Sequence, residues 1–157
     1  VKERLIRGRS IQGMTAAAIY VATRQCGLAR TLEEIAQASN MHKKEVGNSY
    51  RFLAKQLDYF IPPLKPSQYV TKISNQLTMQ GNVEEIAYKI LTAAKELKLT
   101  SGRGPTGIAA AASYIASVLA GERKTQREIA EIAQVTEVTI RNRYKELVER
   151  LTFVISI

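Results

Sequence analysis

Four residues in EVTIRNRYKEL (137–147) carry complementary recognition chemistry: Val138, Arg141, Asn142 and Lys145, at i, i+3, i+4 and i+7. On an α-helix that spacing sets them along one stripe. An arginine offers paired donors to a guanine edge, an asparagine pairs with adenine, an apolar group meets a thymine methyl, and a lysine meets a phosphate. The stripe suits the major groove of duplex DNA; the same pattern also fits an ordinary solvated helix face. Arg143, beside the stripe, is a candidate backbone contact.

To present that stripe, the helix needs a buried opposite face and a fixed entry. Ile140, Tyr144, Leu147 and Leu151, spaced four, three and four, supply the buried face. Upstream, Thr125-x-x-Glu128 has the form of a capping box opening a short helix that ends near Ala133. A tight turn around Val135 then leads into the longer helix, so the whole stretch has the form of a helix-turn-helix.

The same phrases occur twice. At an offset of 94, residues 8–63 lie on 102–157 without a gap, and 18 of the 56 positions are identical, among them Gly8/Gly102, Arg9/Arg103, Gly13/Gly107, Tyr20/Tyr114 and Tyr50/Tyr144. A period this long indicates two copies of one small domain rather than a solenoid. Each copy begins with a glycine-arginine phrase and an alanine-rich helix, with Ser10 or Gly104 as N-cap and Ile11 or Pro105 as first helical residue. Apolar almost all round, that helix is expected to be buried at the centre of its bundle. Thr31-x-x-Glu34 repeats the capping box, and Val46, Tyr50, Leu53 and Leu57 repeat the inner face. The copy of the stripe is Lys44, Gly47, Asn48 and Arg51, with glycine in place of Arg141. After Pro62, Pro63 and Pro66, further helices are expected at about 66–77 and 83–97, and no strand pattern appears. The fold class is thus all-α, in two tandem units placed at 1–79 and 80–157. The first-copy counterpart of the 83–97 helix falls almost wholly before Val1, so the chain is expected to be a fragment.

Charge narrows the partners. The 157 residues carry a formal net charge of +9, and residues 1–61 hold ten Lys/Arg against five Asp/Glu. A polyanion is favoured, with nucleic acid ahead of a membrane, since no segment is a basic amphipathic anchor or a spanning helix. Cys26 and His42 are alone, with no partner at metal-ligand spacing, and no catalytic constellation is present. SGRGPTG (101–107) lacks the GK[ST] ending of a nucleotide loop. Arg9 and Arg103 instead stand at matching helix N-termini, where free N–H groups favour phosphate; the glycines beside them also serve tight packing. Lys43, Lys44, Arg51 and Lys55, on or near one helix of the first copy, are further candidate phosphate or partner contacts.

The duplicated GR…AAA…Y.A helix, RTLEEIA, KTQREIA and EVTIRNRYKEL together resemble the two cyclin-like repeats of the transcription factor IIB family, most closely its archaeal branch. The resemblance covers nearly the whole chain. It implies a core domain of two cyclin-like helical bundles, the second with the helix-turn-helix, that binds the TATA-binding protein on a promoter. Such a core contacts double-stranded DNA on both sides of the TATA box and helps recruit RNA polymerase. The family's base-reading valine and arginine, which read a purine-rich element upstream of TATA, correspond to Val138 and Arg141. Lys43, Lys44, Arg51 and Lys55 then become candidates for the TATA-binding protein. The family's zinc is carried by an N-terminal ribbon that this sequence does not include, so no cofactor is expected in this chain. A monomer is implied, cytoplasmic and nucleoid-associated in an archaeal cell or nuclear in a eukaryote. The alternative is a cyclin-type regulatory subunit of a protein kinase; an enzyme is not expected.

Overall fold

The computed structural model describes residues 9–101 and 104–151, and among these it is all-helical. The helices are α1 (Ile11–Gln25), α2 (Leu32–Ala38), α3 (Lys43–Gln56), α4 (Pro66–Gln76), α5 (Gly81–Glu96), α6 (Pro105–Leu119), α7 (Gln126–Ala133) and α8 (Glu137–Arg150). They fall into two compact units that divide between Leu64 and Lys65. This differs from the boundary at 79/80 read from the sequence. The reason is α4, whose Val70 and Ile73 are 1% and 0% exposed and belong to the core of the second unit. Among the described residues the second unit therefore has five helices and the first has three.

The helix starts follow local chemistry. Ser10 caps α1, accepting from the Gly13 amide at 3.0 Å and donating to Glu45 Oε1 on α3 at 3.0 Å. Gly104 caps α6 with Pro105 as its first residue, where the missing N–H is harmless. Both capping boxes form, at Thr31/Glu34 and Thr125/Glu128. Hydrogen bonds from the Thr125 amide and then its hydroxyl hold the Glu128 carboxyl below its ordinary range. A carboxyl depressed in the folded state stabilises above its unfolded pKa, and that stabilisation fades as pH falls through the lowered value.

The alanine helix of the second unit is its axis. Ala109, Ala110, Ala111, Ala112 and Ala116 are all 0% exposed, because α4, α5, α7 and α8 each pack on α6. The matching α1 is buried on one side only: Ala16 and Ala17 lie against α2 and α3, whereas Ala18, Ile19 and Ala22 are exposed. Burial all round thus holds for α6 and not for α1. Leu57, expected inward, is also exposed, since α3 ends at Gln56.

The repeated glycine of each alanine helix is a point of close approach. A Cβ at Gly107 would stand 3.0 Å from Thr139 Cγ2 on α8, and one at Gly13 would stand 3.0 Å from Ser49 Oγ on α3. The repeated tyrosines clamp the same helix pairs. Tyr20 and Tyr50 meet edge to face at 5.0 Å, and Tyr114 and Tyr144 at 5.6 Å, a favoured aromatic geometry.

Candidate nucleic-acid interface

The placement of α8 starts with the turn before it. Gln134 takes the left-handed conformation at φ 55°, ending α7, and the Val135 amide donates to the Ala130 carbonyl at 3.1 Å. Thr136 then caps α8, its Oγ1 accepting from the Thr139 amide at 3.2 Å. An N-cap threonine of this kind contributes about 1 kcal/mol. Thr136→Ala is therefore expected to lower the stability of the second unit by about that much in urea unfolding, and Thr136→Ser to restore it; equal midpoints for all three proteins would show that the cap contributes nothing.

One face of α8 is fixed by the core. Ile140 and Leu147 are 0% exposed, while Tyr144 and Leu151 are half-buried against the core around α6. The opposite face is open: Val138 is 58% exposed, and Arg141, Asn142 and Lys145 are exposed with it. A rigid helix thus presents an apolar group, a guanidinium, an amide and an ammonium along one solvent-facing stripe. An exposed valine between polar neighbours gains nothing from the core, which makes it a candidate contact.

Arg143 lies elsewhere. It is half-buried on the flank turned to α6, with its Cγ 3.8 Å from where a Gly107 Cβ would stand, and its Nη1 donates to Glu146 Oε2 at 2.7 Å. Arg103 lies outside the described residues.

In the first unit the counterpart helix α3 presents a different face. Gly47, in the place of Arg141, is buried, and a Cβ there would come 3.2 Å from Leu32 Cδ2 on α2. Lys44, Asn48 and Arg51 are exposed, and the Arg51 guanidinium donates to Asn48 Oδ1. Lys43 pairs with Glu33 at 3.5 Å, and Lys55 is exposed in the last turn. Arg9 rests its guanidinium 3.6 Å above the Phe52 ring, an arrangement that leaves the cation beside solvent while its plane stacks on the aromatic.

A groove of about 440 Å³ opens beside the start of α7. Tyr114 and Val118 of α6 line it together with Arg123, Lys124, Arg127 and Glu137. None of these cations was read as a contact in the sequence, although Lys124 and Arg127 lie within the repeated phrase KTQREIA, because the groove is made by three separate segments. The signal available in the sequence was the offset itself, which sets Arg127 and Glu137 opposite Glu33 and Lys43, with the charges exchanged.

Among the described residues no group of His, Cys, Asp and Glu is placed to hold a metal ion, and no helix is long and apolar enough to cross a membrane.

A family model described as the transcription factor TFIIB repeat matches residues 1–56 and 61–150. Its second match begins before α4, in keeping with the division of the structure at Leu64. The chain is similar to a transcription initiation factor IIB of Methanosphaerula palustris, 57% identical over 151 residues, covering 96% of this chain and 45% of that protein. Proteins of the same name from Methanocaldococcus jannaschii and Archaeoglobus fulgidus are 60% and 55% identical over 96% of this chain, of which it covers 22% and 46%. The chain thus spans less than half the length of these relatives.

Proposed function

The chain belongs to the transcription factor TFIIB repeat family, and from that premise we infer that it is the DNA-binding core of a general transcription initiation factor. Its task is to dock on a promoter already held by the TATA-binding protein, to contact the flanking duplex, and to orient the complex that recruits RNA polymerase. The observation that carries the reading is the stripe on α8. Val138, Arg141, Asn142 and Lys145 are all exposed on a helix whose other face is locked into the core.

In this reading α7 and α8 act as a helix-turn-helix, with α8 in the major groove upstream of TATA. Arg141 donates to a guanine edge, Val138 packs against a neighbouring base, Asn142 addresses an adenine and Lys145 a phosphate. Arg9 and Arg103 are assigned to the sugar-phosphate backbone, and Lys43, Lys44, Arg51 and Lys55 to the TATA-binding protein or to phosphates. Arg143 is a weaker backbone candidate, since leaving Glu146 would break a short ion pair. The names of the relatives and the character of the stripe both favour this reading over a cyclin-type kinase subunit.

A gel shift on a TATA promoter with and without the TATA-binding protein tests it. With a net charge of +9, the chain is expected to bind naked DNA weakly and salt-sensitively. It is expected to bind much more tightly once the site is bent, because the bend brings flanking DNA within reach. Equal affinity in the two conditions would sink the reading.

A further inference from the structure

We propose that Gly107 is a positioning residue for base readout: its lack of a side chain lets the first turn of α8 seat low on α6, and that seat sets where Val138 and Arg141 meet the bases. The inference rests on the DNA-binding reading above and adds to it a buried residue outside the stripe.

The flank of α8 between the stripe and the core is formed by Thr139, Arg143 and Glu146, at i, i+4 and i+7. This flank rides over Gly107, which is buried in the first turn of α6. A Cβ there would stand 3.0 Å from Thr139 Cγ2 and 3.8 Å from Arg143 Cγ, both on α8. Carbon atoms rest about 3.5–4.0 Å apart, so Arg143 tolerates a methyl at 107, whereas Thr139 must give by a few tenths of an ångström. The freedom of Thr139 is small. Its branch is β, and its Oγ1 shares a hydrogen bond with Thr136 Oγ1 at 2.9 Å beside the cap of the helix. Turning the methyl away would carry Oγ1 out of that bond, while lifting the whole first turn keeps it.

Such a lift acts unequally along α8. Leu147, 0% exposed, anchors the helix in the core, about two turns beyond Thr139. Pushed at its first turn, the helix tilts about that anchor, so Val138 and Arg141 move most and Lys145 least. Base edges demand donors held to within about 0.5 Å, whereas a lysine on its flexible stem follows a phosphate. The change therefore falls on sequence preference and spares the electrostatic part of binding.

The first unit has the same glycine and a different seat. A Cβ at Gly13 would meet Ser10 Oγ at 2.9 Å, Ser49 Oγ at 3.0 Å and Met41 Cε at 3.3 Å. These neighbours are two hydroxyls and the end of a flexible side chain. Glu45, in the place of Thr139, instead accepts a hydrogen bond from Ser10. The seating of a β-branched methyl on the glycine belongs to the second unit, the one that also carries Arg141.

The test is the ratio of affinities for two TATA duplexes, with and without the upstream element, in the presence of the TATA-binding protein and across a range of salt. Gly107→Ala is expected to lower that ratio at least about fivefold, the low end of what one base-edge contact supplies. The slope of log affinity against log salt is expected to stay as in wild type. Thr139→Ser, which drops Cγ2 and keeps Oγ1, is expected to keep the wild-type ratio. Gly107→Ala combined with Thr139→Ser is expected to regain it, since the methyl that the new Cβ strikes is gone. Gly13→Ala, the same change in the first unit, is expected to keep the ratio as well. Alanine is the better helix former, and circular dichroism checks that each variant is folded. A wild-type ratio in Gly107→Ala, beside a collapsed ratio in Arg141→Ala, would overturn the inference and leave the DNA-binding reading standing. An equal loss on both duplexes, a double variant that stays impaired, or a Gly107→Ala chain that does not fold would overturn it too, leaving the glycine a role in stability alone. A ratio of one for wild type would bring down both.

Discussion

Ala112→Leu is expected to destabilise the second unit by about 1–3 kcal/mol through overpacking, whereas the matching change in the first copy, Ala18→Leu, is expected to shift stability by no more than about 0.5 kcal/mol. The two alanines occupy the same place in the duplication, at the offset of 94. Ala112 is 0% exposed, on a helix that four others cover, so the three added carbons have no space that is not already filled. Ala18 faces solvent on α1. Leucine is nearly as good a helix former as alanine, so propensity contributes little at either site. Urea unfolding of wild type and the two variants separates the cases, and equal losses would mean that the open side of α1 is covered as α6 is.

That contrast marks what the sequence could and could not tell. Helix starts were legible because they depend on neighbours in the chain: Ser10, Thr31, Thr125 and the Gly104-Pro105 pair each act within three or four residues. The inner face of α8 was legible for the same reason, since Ile140 and Leu147 share a side of one helix. The grouping of helices was not. The spacing of Val70 and Ile73 says that α4 has an apolar side, and nothing local says which unit covers it. The duplication gave no help, because at an offset of 94 in either direction the counterpart of α4 falls outside residues 1–157. Likewise, Ala18 and Ala112 are identical letters in near-identical phrases, and only the presence of α4 and α5 distinguishes their surroundings.

The substitution at Gly47 was visible in the sequence, but its consequence was not. A glycine aligned with an arginine reads as a lost contact. In the structure it is a close approach: Gly47 is buried against Leu32, so the helix that carries it turns this position toward α2 instead of solvent. Replacing it with arginine would not transplant the reading stripe, because the side chain would have to enter the contact between α2 and α3. The difference between the two copies therefore lies in helix packing as much as in side-chain chemistry.

From this inequality follows the sharpest functional expectation. If the two similar units dock on a nearly symmetric TATA complex, as proposed, something unequal must set direction, and Arg141 is exposed where its counterpart is a buried glycine. If Arg141 donates to a guanine edge, Arg141→Ala is expected to weaken binding by about 1–3 kcal/mol on promoters that carry the upstream purine-rich element. Promoters without the element are expected to bind the variant almost as well as wild type, since no base contact is there to lose. Lys145→Ala is expected to act differently, weakening both promoters alike and lowering the salt slope by about one. The measurement is the affinity of the three proteins for two promoters that differ only in the element, with the TATA-binding protein present. An equal loss on both promoters for Arg141→Ala would make Arg141 a backbone contact. Direction would then have to come from the charge asymmetry between the units, in which Arg123 and Arg127 stand where the first copy has Ala29 and Glu33.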